Sequence, residues 1–90
     1  MLKHYHLIVS GKVQGVGFRF FSQTLAAEHH VYGWAKNLED GSVEIKAEGD
    51  ETNLDEFVAA LRKGNRFAKV AHIELSAKDE IEGFTSFKTY

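Results

Sequence analysis

Ninety residues allow one domain, 1–90, with one modest core, because a chain this short hides only about 60% of the surface it exposes when unfolded. Hydrophobic residues at 43% and charged residues at 27% exclude a disordered chain, and the absence of cysteine excludes a disulfide staple, a thiolate nucleophile and a Cys-ligated metal centre. A net charge of −2, no apolar run of membrane-spanning length and no signal-peptide pattern at Met1–Tyr5 lead us to expect a cytoplasmic protein with no membrane partner.

From Tyr5 to Ser10 the chain reads as a strand, with Tyr5, Leu7 and Val9 on one face and His4, His6 and Ile8 on the other. Three glycines follow in Gly11-Lys12-Val13-Gln14-Gly15-Val16-Gly17, and Phe18 to about His30 has helical spacing at Phe18, Phe21 and Leu25. Strand chemistry resumes at Val31–Trp34. The Asp40-Gly41 pair within Asn37–Ser42 marks a hairpin turn, and beyond it Val43, Ile45 and Ala47 alternate with Ser42, Glu44, Lys46 and Glu48. The alternation predicts that the first set faces a core and the second faces water. A second helix begins at Thr52 and Asp55, spaced as in a capping box, and ends at Gly64 after Arg62 and Lys63. Its buried face is Leu54, Phe57, Val58 and Leu61. Ala71, Ile73, Leu75 and Ala77 alternate along another strand, and Phe84–Tyr90 form a last short one. The order β-α-β-β-α-β with a terminal strand predicts an α+β, ferredoxin-like sandwich: an antiparallel sheet with both helices on one face. That plan hosts many functions, so the activity must be read from a site.

The glycine segment, ending on Phe18-Arg19, is the strongest candidate. Glycine reaches positive φ freely, so consecutive N–H groups can turn inward on one oxyanion beside a helix start, and Arg19 adds a planar fork of donors. Equally, the same glycines could simply make a tight crossover from strand to helix, with Arg19 in solvent. Two nucleotide-binding patterns fail. Five residues on from Gly11 stands Val16, with no Lys-Ser or Lys-Thr pair after it, and Phe20 occupies the third glycine of a dinucleotide fingerprint. Residues 1–36 carry Lys3, Lys12, Arg19 and Lys36 against Glu28, whereas residues 39–56 carry eight acids against Lys46. Scattered cations of this kind suit a small anion and do not form the continuous stripe that a nucleic acid needs.

The segment Gly11-Lys12-Val13-Gln14-Gly15-Val16-Gly17-Phe18-Arg19 resembles a signature of the acylphosphatase family. Gly33-Trp34-Ala35-Lys36-Asn37-Leu38-Glu39-Asp40-Gly41-Ser42-Val43-Glu44 is similar to that family's other signature, and the likeness extends over nearly the whole chain. Departures are mild: Val31-Tyr32 stands where Gly-Leu is frequent, Ala35 where a larger β-branched residue is common, and no proline precedes Val70. The resemblance implies a phosphate-binding loop made of Val13, Gln14, Gly15, Val16, Gly17 and Phe18. It implies Arg19 as the phosphoryl-binding arginine and Asn37 as the residue that positions water. The implied substrate is a small-molecule acyl phosphate, hydrolysed by a monomer without cofactor or metal.

That chemistry suits these residues. A carboxylate departs as a weak base and needs little help from a general acid, so catalysis reduces to holding the phosphoryl group, stabilising its charge and aiming a water. Other polar residues have simpler readings. His4, His6, His29, His30 and His72 form no HExxH or Cys-His set and read as solvated or sheet-face side chains, so no metal site is expected. Acids of residues 39–56 fit a turn, a polar strand face and a helix start. Trp34 and Tyr32 read as structural. The rival reading is a noncatalytic anion-binding or regulatory module, which would keep Arg19 but need no Asn37. A domain serving carbamoyl phosphate within a hydrogenase-maturation carbamoyl transferase is disfavoured, because no zinc-finger or transferase segment is present. RNA recognition on the open sheet face is disfavoured by Glu44 and Glu48.

Overall fold

Alternation of Tyr5, Leu7 and Val9 with more polar neighbours builds the first strand, β1 (Leu2–Lys12), in a computed structural model that describes residues 1–90. Then come α1 (Phe18–Glu28), β2 (Tyr32–Asn37), β3 (Val43–Asp50), α2 (Glu51–Lys63), β4 (Lys69–Lys78) and β5 (Phe87–Thr89). The five strands lie in the order β4-β1-β3-β2-β5. Pairings β1–β3, β1–β4 and β2–β3 are antiparallel, whereas β5 runs parallel to β2, from Gly33 opposite Phe87 to Ala35 opposite Thr89. The sheet is therefore mixed, and the expectation of a wholly antiparallel one is corrected at that edge. No helix is long and apolar enough to cross a membrane.

One face of the sheet meets both helices. Tyr5, Leu7, Val9, Val43, Ile45 and Ala47 from the strands are buried against Phe18, Leu25 and Ala26 of α1 and Leu54, Phe57, Val58 and Leu61 of α2. Burying an aliphatic or aromatic side chain of this kind stabilises the fold by about 1.5–3 kcal/mol each. In β4 only Ile73 is buried; Leu75 is exposed and Ala71 and Ala77 also face solvent, because β4 is an edge strand flanked by β1 alone.

Two local expectations need correction. The N-cap of α2 is Asp50, whose carboxylate accepts the Thr52 N–H at 3.3 Å, so the cap lies two residues before the predicted Thr52. Asp55, the other half of the predicted box, instead accepts the Tyr5 hydroxyl at 2.6 Å and ties α2 to β1. This bond, then burial, pushes the Tyr5 phenol up to about 12.

The second correction concerns the opposite face of the sheet. His4 and Glu48, expected in water, are only 3% and 4% exposed. They stand opposite each other in the β1–β3 register, and the His4 Nδ1–H donates to the Glu48 carboxylate at 2.8 Å. The chain between β4 and β5 folds over them: Glu48 accepts the N–H groups of Glu82 at 2.5 Å, Gly83 at 3.0 Å and Phe84 at 3.2 Å. Burial alone would raise the carboxyl's pKa, but the His4 and backbone bonds together outweigh it and hold the group below its ordinary value. Ser42, also expected in water, is buried with its hydroxyl on Asp40.

Candidate active site

Between β1 and α1 the chain must reverse within five residues, and glycine makes this possible. Gly15 and Gly17 adopt φ of 73° and 74°, a left-handed conformation that a Cβ would penalise, while open space surrounds both positions. Gly17 is also the N-cap of α1, which has no side-chain cap and no acid in its first turn. The positive end of the helix dipole is thus uncompensated where Arg19 begins.

Here the surface is concave. A cleft of about 240 Å³ is lined by Val13, Gly15, Gly17, Phe18, Arg19, Phe20, Asn37 and Thr89. Residues from four elements or their flanks meet there, so Arg19 and Asn37, 18 positions apart in the chain, share one site. Arg19 is the one charged side chain in the lining, and its Nη1 donates to the backbone oxygen of Tyr90, just beyond β5. The rest of the guanidinium fork can serve a ligand.

Asn37 is the last residue of β2, not part of the turn as the sequence suggested. Its side-chain oxygen Oδ1 is buried and has no hydrogen-bond partner in the protein. A buried acceptor without a partner costs about 1–3 kcal/mol, so a donor, such as a water held in the cleft, would relieve it.

Gln14 and Val16, expected in the phosphate loop, do not line the cleft. Gln14 turns the other way: its Nε2 donates to the backbone oxygens of Leu38 at 2.7 Å and Ser42 at 2.8 Å. Those residues frame the β2–β3 turn, itself closed by the Leu38 N–H on the Ser42 oxygen at 2.9 Å and by Asp40, which accepts from Ser42. The Ser42 hydroxyl and N–H hold the Asp40 carboxyl below its ordinary pKa. Gln14 therefore ties the glycine loop to the turn that follows Asn37. Val16 packs against the core.

Sequence reasoning missed Thr89 and Phe20 as cleft residues. Nothing in their local pattern distinguishes them, although Phe20 follows Arg19 directly. Histidines stay outside the cleft, and no group of three or more His, Asp or Glu side chains is placed to hold a metal ion.

The acylphosphatase family model matches residues 5–89. An acylphosphatase of Bacillus licheniformis is 47% identical over 83 residues, covering 92% of each chain, and one of Clostridium acetobutylicum is 47% identical over 88 residues, covering 98% of this chain and 97% of the relative. The crystal structure of acylphosphatase from Bacillus subtilis superposes with a TM-score of 0.95 at 46% identity, over 100% of this chain and 99% of that one. With both signature segments meeting at a single cleft and relatives of this similarity along nearly its whole length, the chain belongs to the acylphosphatase family.

Proposed function

We propose that this protein hydrolyses acyl phosphates to carboxylate and inorganic phosphate at the cleft between the glycine loop and the end of β2. In this reading, loop N–H groups between Val13 and Phe18, together with Arg19, hold the phosphoryl oxygens. The α1 dipole and the guanidinium stabilise charge as the P–O bond lengthens. The Asn37 side-chain amide, which can both donate and accept, hydrogen-bonds the attacking water and sets its approach. The water oxygen forms a bond to phosphorus, the bridging P–O bond breaks, and the electron pair leaves with the carboxylate. A phosphoryl oxygen of the substrate takes the water's proton, so no side-chain acid or base and no metal is required.

The observation that carries this reading is that Asn37, whose side-chain oxygen has no partner in the protein, lines the same cleft as a single cation and no carboxylate. A noncatalytic anion module would account for Arg19 and leave the Asn37 oxygen unexplained. The protein acts in this reading as a cytoplasmic monomer, and its scattered cations, which form no continuous stripe, support the absence of a nucleic-acid partner. The test is phosphate release from benzoyl phosphate in the presence of a chelator. Wild-type turnover that survives the chelator, with Arg19→Ala losing both turnover and inhibition by inorganic phosphate, supports the proposal. Turnover only on addition of metal contradicts it.

A further inference from the structure

An acyl phosphate has two halves, and the loop with Arg19 accounts for one. Three residues lining the cleft have apolar side chains: Val13, Phe18 and Phe20. Val13 and Phe18 are each 1% exposed and belong to the core, so they offer a ligand little beyond their backbone. Phe20 is different. It stands one residue beyond Arg19 in the first turn of α1 and is 71% exposed. Neighbouring Phe21 packs on the core with its ring 5.8 Å from that of Phe18, whereas no aromatic pair or cation–π contact engages Phe20. A phenyl ring left in water adds nothing to the stability of the fold.

We infer that Phe20 forms the acyl subsite, its ring receiving an apolar or aromatic acyl group while the phosphoryl group sits at Arg19 and the loop amides. The inference rests on the hydrolytic reading above. Other aromatic side chains are poorer candidates: Trp34 is half-buried on β2, with Lys36 and Lys46 already 5.7 and 5.8 Å from its ring centre, and exposed Tyr32, Phe67 and Tyr90 do not line the cleft. With no acid in the cleft lining, a cationic acyl group would find no partner beside Arg19. A short acetyl group would leave most of the Phe20 ring in water. The substrate class that fits is therefore an acyl phosphate with a bulky apolar or aromatic acyl portion.

Because bonds change at phosphorus, contact with Phe20 is made equally in the bound substrate and in the transition state. Its loss should appear in KM and leave kcat nearly as it was. Benzoyl and acetyl phosphate are compared in wild type, Phe20→Ser and Phe20→Leu, alongside binding of their carbon-bridged analogues, benzoylmethylphosphonate and acetylmethylphosphonate. Phe20→Ser should lower the benzoyl-to-acetyl ratio of kcat/KM about fivefold, mainly through KM, and Phe20→Leu should recover part of it. Equal losses for both substrates, or a rise in the inhibition constant of inorganic phosphate as large as the rise in the benzoyl KM, would overturn the subsite. Analogue binding separates the two claims. A preference for the benzoyl analogue that Phe20→Ser abolishes would sustain the subsite even if wild type hydrolysed neither substrate. Intact hydrolysis with no such preference removes the subsite alone.

Discussion

Replacing Glu48 by Ala strips three backbone N–H groups and the His4 ring of their shared acceptor. Hydrogen bonds to a charged group contribute about 1.5–3 kcal/mol each when both partners are buried, but the segment around Glu82–Phe84 can open to water once released. Taking about 1 kcal/mol for each of three N–H groups gives a loss of about 3 kcal/mol, or roughly 12–24 °C in Tm for a domain of this size. The effect must depend on pH. Glu48 has a depressed folded-state pKa, so its contribution is complete above the ordinary carboxyl value, about 4.3, and is lost as pH falls through the lower folded value. Urea denaturation of wild type and Glu48→Ala at pH 7 and at successively lower pH measures both. The gap should be widest at pH 7 and shrink in acid. A gap below about 0.5 kcal/mol at pH 7, or one that stays constant into strong acid, would refute the buried clasp.

Arg19→Lys should retain charge yet lose most phosphate affinity, about tenfold in the inhibition constant, because the donors of an ammonium radiate from one nitrogen and lack the planar spacing that lets a guanidinium bond Tyr90 and grip two phosphoryl oxygens side by side; inhibition by inorganic phosphate checks this. Gln14→Ala should cost about 1–2 kcal/mol and reduce turnover more than phosphate binding, since it frees the turn after Asn37 while sparing the cleft lining; melting and steady-state kinetics measure the two parts. Tyr5→Phe should cost about 1 kcal/mol at pH 7. The raised phenol pKa makes that contribution complete below the ordinary phenol value, about 10, and lost as pH rises through about 12, so spectrophotometric titration of wild type should show one tyrosine ionising late and the variant should lack it.

Periodicity in the chain was enough to locate both helices and the first three strands, because their apolar positions repeat with the period of the element and all face one core. The same rule misplaced His4 and Glu48. Alternation shows which side chains leave the core face, and only the long-range fold shows that residues 82–84 close over the other face. Strand β5 pairs parallel to β2 through three residues across a separation that no local pattern encodes. Asp50 and Thr52 are both good N-caps, and the end of β3 at Asp50 decides between them. In the candidate site, Arg19 and the glycines were legible from conformational need, and Asn37 from family resemblance. Gln14 was placed in the loop for its backbone N–H, and the reach of its side chain to the β2–β3 turn has no local signal, since its partners lie 24 and 28 residues away.

The central claim is that Asn37 aims the water while Arg19 and the loop hold the phosphoryl group. Its most direct test is Asn37→Ala, assayed for benzoyl phosphate hydrolysis and for inorganic phosphate binding in the same preparation. Turnover should fall at least 100-fold, about 2.7 kcal/mol of barrier, with phosphate affinity within about threefold of wild type. Near-normal turnover in a variant that still binds phosphate would contradict the account.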